Sequence, residues 1–408
     1  MQAVVIAAGN SSRFWPLNNG HKCEIFLFGK PIIAWTLKGL AENGVEEAVV
    51  VCGPSSRVPE LLEKEDLGLS ISFVTQEEPL GPGNALWQAK DKITGPFFLV
   101  WADKMEAGEL VERFKEKAGQ ADMVLLGTEA ARPSEYGVFR MEGENVLSIV
   151  EKPAPGTEPS RIVRAVMELL PLDIFTVYEN LPSHHEGDLV DALNKLLKQK
   201  KAVLVKEEQV SSLKYPWDLF SFLERFAQEP FLEESIASTA SVAPSAVLKG
   251  PVFVGENASI GEHTLVEGPC YIGPECVIGP SNVLRGPLCL ERGVKTGAFC
   301  EIKKSIVQEG THFHSGYVGD SVFGKNCRVA AGFVSANRRL DRQQVRVSVK
   351  EEKVDTLRSY LGTVVGEGAR IGISCSTMPG VFLGRSCVLG PGSRVFKHVG
   401  DEETFSSP

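Results

Sequence analysis

The stretch from Val242 to Leu290, VAPSAVLKGPVFVGENASIGEHTLVEGPCYIGPECVIGPSNVLRGPLCL, carries an aliphatic residue at every sixth position: Val242, Leu248, Val254, Ile260, Val266, Ile272, Ile278, Leu284 and Leu290. Neither a helix nor a plain strand has that period. After an interruption the register returns at Val365, Ile371, Leu383, Leu389 and Val395, with Thr377 off type, and a glycine follows many of these residues. Self-similarity at a fixed period marks a solenoid, in which each repeat buries its apolar face only by stacking on its neighbours. Short strands joined by tight turns would send each sixth side chain to the inside of a prism. Each inward side chain contributes about 1.5 to 3 kcal/mol before entropy is subtracted, so the column predicts an autonomous core.

A chain of 408 residues is too long for one ordinary core, and two domains are expected: residues 1–230, a linker 231–241, and the solenoid at 242–400. Hydrophobic residues at 43% and charged residues at 23% describe a soluble globular protein. A net charge of −9 argues against nucleic acid or an anionic membrane as partner. No apolar run reaches the length of a membrane span, and Ala3–Ala8 lacks the basic start of a signal peptide, so a cytoplasmic location is expected. The nine cysteines include no CxxC pair, which suggests neither a disulfide framework nor a zinc site. Cys270, Cys276, Cys375 and Cys387 each stand four places after a repeat aliphatic, where Ala258, Thr264, Ala369 and Ser393 also fall, so packing explains them.

In the first domain, Ala3–Ala8 reads as a buried parallel strand leading at once into the loop Gly9–Pro16. Expected next are a helix from Pro31 to Asn43, strands at Glu47–Cys52 and Ile71–Gln76, a helix capped by Asn84, and a strand Phe97–Trp101 that ends at Asp103. Further on, Leu189–Lys200 reads as an amphipathic helix, Val203–Val205 as a strand and Pro216–Phe226 as a closing helix. Alternating strands and helices predict a parallel, doubly wound sheet with ligands beyond the carboxyl ends of its strands.

The segment AAGNSSRFWPLNNGHKCEIFLFGKPII (Ala7–Ile33) resembles the signature of sugar-1-phosphate nucleotidylyltransferases, a Rossmann-like α/β family. Gln76–Ala85 matches that family's base-reading segment, and Tyr136-Gly137 with Ile149–Pro153 its sugar-phosphate segment. The resemblance implies that Gly9 and Arg13 hold a nucleoside triphosphate and that Lys22 lies against the phosphate from which charge departs. It also implies that Gln76, Gly81 and Gly83 read the base, that Gly137, Glu151 and Lys152 hold the sugar-1-phosphate, and that Asp103 carries Mg²⁺. Several positions depart from the family pattern. Gly9-Asn10-Ser11-Ser12-Arg13 lacks the second glycine of the family's loop, and Asn10 is a residue that can tolerate a left-handed conformation. Ala102 precedes the metal aspartate, Arg164 replaces an asparagine, and Ser212 falls where a second metal carboxylate is often found.

Between Leu290 and Val364 the hexads loosen and polar residues gather, followed by an insertion, Arg338–Arg358, that should protrude to cover a site or reach a neighbouring subunit. His314–Asp320 (HSGYVGD), with Leu284-Arg285, Glu301-Ile302-Lys303 and Asn337, resembles the acetyltransferase half of enzymes that make UDP-N-acetylglucosamine, above all the archaeal-type dual enzymes. That family folds this half as a left-handed parallel β-helix and works as a trimer or a dimer of trimers. The resemblance implies that His314 is the general base for acetylation of an amino-sugar-1-phosphate by acetyl-coenzyme A, a task suited to imidazole. It implies further that Arg285 and Lys303 hold the sugar phosphate and that Tyr317 and Asn337 orient the sugar. Phe333 stands where the family has a threonine among its coenzyme contacts. Two other readings stay open: an acetyltransferase whose first domain is regulatory, and a noncatalytic scaffold like the exchange-factor subunits that join the same two folds.

Overall fold

The computed structural model describes residues 1–227, 232 and 234–407, so positions 231 and 233 of the expected linker lie outside the described residues. The chain divides into two compact units. The first takes Met1–Asn10, Cys23–Ile25 and Pro31–Ser212; the second takes Leu213–Pro408 together with Ser11–Lys22 and Phe26–Lys30.

The first unit is built on a nine-stranded mixed sheet. Its strands are β1 (Gln2–Ala7), β2 (Glu47–Cys52), β3 (Ser70–Thr75), β4 (Phe97–Trp101), β5 (Met123–Glu129), β6 (Gly137–Glu142), β7 (Asn145–Glu151), β8 (Ile162–Leu170) and β9 (Ala202–Glu207). They lie in the order β3-β2-β1-β4-β8-β5-β9-β7-β6. Strands β1 to β4 are parallel, and β8 runs antiparallel between β4 and β5. Strand β1 reads as a continuous apolar run because both of its faces are covered. Ala3, Val5 and Ala7 join one core, and Val4 and Ala8 join the other. The first core takes in Ile33, Leu37 and Leu40 of α1 (Ile32–Glu42) and Leu110 and Phe114 of α4 (Ala107–Ala118). The second takes in α3 (Pro82–Gln88), α5 (Asp173–Glu179) and α6 (Asp188–Leu197). The order of connections reverses between β1 and β4, and Ala102 N–H donates to the Ile6 carbonyl at 3.2 Å, which keeps the two strand exits side by side. Loops leaving such a reversal form the usual ligand crevice of an α/β sheet.

The helix expected to start at Asn84 begins at Pro82, with Gly81 before it. Proline sets the first-turn dihedral and has no N–H to cap, so the start moves upstream. Asn84 then lies inside the helix, where its Oδ1 accepts from Gln76.

In the second unit the hexads fold into three parallel sheets, whose strands stack from Ser235–Ile236 to Thr404–Phe405. Period, register and parallel stacking are those of a left-handed parallel β-helix. On the first face the inward column is Val254, Ile272, Leu290, Val307, Phe323, Val365 and Leu383. The second continues Ile260, Ile278, Thr296, Phe313, Val329, Ile371 and Leu389, and the third Val266, Leu284, Ile302 and Val318. Between Leu290 and Phe323 each coil is one or two residues shorter than those before it, so the sequence period slips while the prism continues. The outward side chains of the first face are apolar too, and segments of the same unit cover them. Phe26 exchanges two hydrogen bonds with the Gln308 amide, and Trp15 packs on Phe382 and His398 while its indole N–H donates to Asp401 at 3.0 Å.

The insertion does not stand clear of the solenoid. It holds a hairpin of Arg346–Val349 and Glu352–Asp355, whose Val345 and Val347 are buried beside Gly380. His398 Nδ1 accepts from Phe382 N–H, which leaves Nε2 to donate to the Ser348 carbonyl at 3.0 Å. Two apolar residues at its root make folding back more favourable than exposure.

The corner residues Ala258, Thr264, Cys276, Ala369 and Ser393 are buried, and Asn282 holds the same position with an amide. Asn282 donates to the carbonyls of Gly279 and Gly297 and to Thr296 Oγ1, and accepts from Cys300 N–H at 2.5 Å, with no exposed surface. Replacement by alanine strands these groups. Asn282→Ala should lower unfolding stability by about 2 to 3 kcal/mol, read as a lower urea midpoint by circular dichroism.

Candidate active sites

In the first unit the polar residues collect at the carboxyl ends of the parallel strands. Gly9 and Asn10 follow β1, Gln76 follows β3 and Asp103 follows β4. Asp103 is 1% exposed. Beyond it, Lys104 Nζ donates to the Ser211 carbonyl and the Glu106 carboxylate accepts from Ser211 N–H at 2.6 Å. These two bonds carry Ser212 to the β4 exit. No group of three or more metal-type side chains occurs among the described residues, so a divalent cation here would need substrate oxygens beside Asp103 to complete its shell.

Gln76 is buried, and its amide N–H groups donate to the Gly81 carbonyl at 2.9 Å and to Asn84 Oδ1 at 3.0 Å. The loop it anchors is braced from behind. Asp188 accepts from Tyr178 Oη–H at 2.7 Å and lies 3.2 Å from His184 Nδ1, and its other oxygen packs on Gly83. A Cβ at Gly83 would sit 2.1 Å from that oxygen and 2.5 Å from the Tyr178 ring. Nothing in the local pattern announces this brace, since Asp188 comes from α6.

Gly137 on β6 pairs with Glu151 on β7, and Lys152 N–H donates to the Tyr136 carbonyl at 3.0 Å. Lys152 is exposed, with Nζ 3.9 Å from Glu151. Close by, Arg164 contacts Glu168 in a buried pair across a β8 bulge. Arg164 therefore has a carboxylate partner within its own strand.

Arg13 and Lys22 belong to the second unit. Arg13 is exposed in a 3-10 turn, Ser12–Phe14, and the left-handed residue before it is Ser11 (φ 47°), the neighbour of Asn10. Lys22 N–H donates to Ser11 Oγ at 3.0 Å, and its Nζ donates to the Leu213 carbonyl at 2.5 Å. The first bond closes the loop on itself, and the second ties it to Leu213.

On the third face of the β-helix, Arg285, Lys303 and Gly319 stack in register, as do Glu301 and Tyr317. Asn337 Nδ2 donates to Asp320 at 2.6 Å and lies 3.1 Å from Tyr317 Oη, and Lys303 Nζ is 4.0 Å from Asp320. Four of these side chains form one connected cluster. Gly319 makes it possible, because a Cβ there would lie 2.5 Å from Tyr317 Oη and 2.7 Å from Asn337 Nδ2. Burial raises the Asp320 carboxyl above its ordinary range, opposed by the Asn337 hydrogen bond and then by Lys303, Lys304 and Arg358. Burial likewise raises the Tyr317 phenol. Arg285 is in contact with Glu301.

His314 is exposed and points away from the dry interior. It lines a groove of about 840 Å³ on the second face, whose outward column runs Lys295, His312, Arg328, Arg370. Burial, then Arg328 and Lys295, lower the His312 imidazole, which stays neutral more readily than a free one. Sequence reasoning had no means of seeing this cationic ladder, because the shortened coils hide the register that aligns it.

A chain that joins an α/β sheet with a polar crevice to a hexad β-helix with an exposed histidine has the architecture of a two-site transferase. The family model for nucleotidyl transferases matches residues 2–209. The bifunctional sugar-1-phosphate nucleotidylyltransferase/acetyltransferase of Sulfurisphaera tokodaii is 30% identical, over 99% of this chain and 100% of its own. The bifunctional protein GlmU of Methanococcus vannielii is 31% identical, over 99% and 97%, and one from Methanococcus maripaludis is 34% identical, over 96% and 93%. The chain therefore belongs to the family of bifunctional sugar-1-phosphate nucleotidylyltransferase/acetyltransferases. No helix among the described residues is long and apolar enough to cross a membrane.

Gly83→Ala is expected to push Asp188 or Tyr178 out of place and to destabilise the first unit by about 1 to 3 kcal/mol, visible as a lower thermal midpoint. An unchanged midpoint would mean that the brace is slack.

Proposed function

We propose that this protein transfers a nucleotidyl group to a sugar-1-phosphate in its first module, residues 1–230, and acetylates an amino-sugar-1-phosphate in its second, residues 242–400. The observation that carries the reading is the match along nearly the whole chain to relatives named for both activities, joined to the Lys303, Tyr317, Asp320 and Asn337 cluster. In the first reaction an oxygen of the sugar phosphate bonds to the α-phosphorus of a nucleoside triphosphate, in line with the bond to pyrophosphate, which breaks. Positioning and charge neutralisation supply most of such catalysis. Arg13 and the loop from Gly9 hold the triphosphate, Lys22 lies against the departing charge, and Lys152, with Gly137 and Glu151, holds the attacking phosphate. Gln76, with the Gly81 and Gly83 backbone, reads the base, which we take to be a pyrimidine, uracil or thymine. Mg²⁺ would be held by Asp103 and would neutralise phosphate charge.

In the second reaction the sugar amine bonds to the acetyl carbon of acetyl-coenzyme A and the thiolate leaves. His314 takes the amine proton, Arg285 and Lys303 hold the acceptor phosphate, and Tyr317 and Asn337 orient the sugar. A homotrimer or dimer of trimers would bring His314 and its groove against a neighbouring copy. Ser212, which offers no carboxylate, favours a second reading in which only the acetyl transfer survives.

With Mg²⁺, glucose-1-phosphate or N-acetylglucosamine-1-phosphate, and UTP or dTTP, the purified protein should release pyrophosphate, and Asp103→Ala should abolish the release. Silence across UTP, dTTP, CTP, GTP and ATP would leave the second reading. His314→Ala should remove acetyl transfer to glucosamine-1-phosphate or galactosamine-1-phosphate by a factor of about 10² or more while pyrophosphate release continues.

A further inference from the structure

The insertion that begins after Asn337 returns to the solenoid at Leu361, whose N–H donates to the Asn337 carbonyl at 2.8 Å. That bond sets Arg338, the first residue of the insertion, next to Tyr360, the residue that precedes Leu361. The Arg338 guanidinium lies 4.9 Å from the centre of the Tyr360 ring, and Lys303 Nζ lies 5.1 Å from the same ring. One aromatic ring therefore gathers two cations.

The neighbouring guanidinium groups are already engaged. Arg285 contacts Glu301, Arg339 contacts Asp341, and Arg358 holds Glu224 at 2.6 Å. Arg338 is exposed and makes no ion pair among the described residues. With its face on an aromatic ring, a guanidinium keeps its edge of N–H donors for a planar or tetrahedral oxyanion. Lys303 faces Asp320 and sits beside Tyr317 and Asn337, so an anion lodged between Arg338 and Lys303 would touch the acceptor cluster directly.

We propose that Arg338 and Tyr360 form a stacked clamp for the phosphate of the amino-sugar-1-phosphate, with Tyr360 as the platform that positions both cations. The inference rests on the acetyl-transfer reading above. A phosphate could instead come from the acyl donor, and the two sources are separable by experiment.

Full-length wild type, Arg338→Gln, Tyr360→Leu and Tyr360→Phe are compared in acetyl transfer from acetyl-coenzyme A to glucosamine-1-phosphate, and in calorimetric titration with glucosamine-1-phosphate alone. Arg338→Gln and Tyr360→Leu should raise both KM and Kd for the sugar phosphate roughly tenfold, the scale of one charge-assisted contact. Their kcat and KM for acetyl-coenzyme A should stay within about twofold, and Tyr360→Phe, which keeps the ring, should match wild type. Unchanged KM and Kd in both variants, or an effect confined to acetyl-coenzyme A, overturns the clamp. Should the wild type transfer no acetyl group, the reaction assignment fails, and the titration still decides. Weaker binding of the sugar phosphate by Arg338→Gln upholds the clamp, and equal or absent binding overturns it.

Discussion

A strand of two or three residues cannot bury its own side chains, and the second unit is made almost entirely of such strands. Its stability rests on stacking: each inward residue within the stack is covered by the same position of the adjoining coils, and the strands bond in parallel to those one coil away. Val254, Ile272 and Leu290 illustrate the rule, all fully buried and all in direct register. On the second and third faces the outward positions are then free of any duty to the core. They form straight columns along which one kind of chemistry can be repeated, and the polar cluster around Asp320 and the ladder through Arg328 both use this freedom.

The first unit solves the same problem differently. Its strands are long enough to feed two cores, and its chemistry is confined to where the strands stop. Gly9 and Asp103 occupy neighbouring exits because Ala102 is bonded to Ile6 across the reversal in strand order. The loop after β1 is then fixed by contacts from residues far along the chain, among them Leu213 and Asp401.

Much of this was legible in the residues alone, wherever a period was unbroken. The hexads announced the prism, and the apolar run of β1 announced a sheet covered on both faces. What escaped was set by distant partners or by a change of phase. Asn84 carries the side chain of a helix cap but is displaced by Pro82 and turned to Gln76. The left-handed turn fell on Ser11 because Lys22 bonds its hydroxyl. The insertion read as a protrusion, since charged residues dominate it, yet Val345 and Val347 draw it back. Loss of a residue or two per coil erased the period after Leu290 without ending the fold, and with it went any view of which cations line up.

The thiols give the molecule an internal gauge. All nine cysteines are buried, and burial pushes Cys270, Cys276 and Cys327 up to about 12, where almost no thiolate exists at neutral pH. Seven of them, from Cys270 to Cys387, are spread along the prism. A maleimide added to the native protein would find little to react with, and as the prism opens under denaturant the order in which the seven become labelled would report which turns part first.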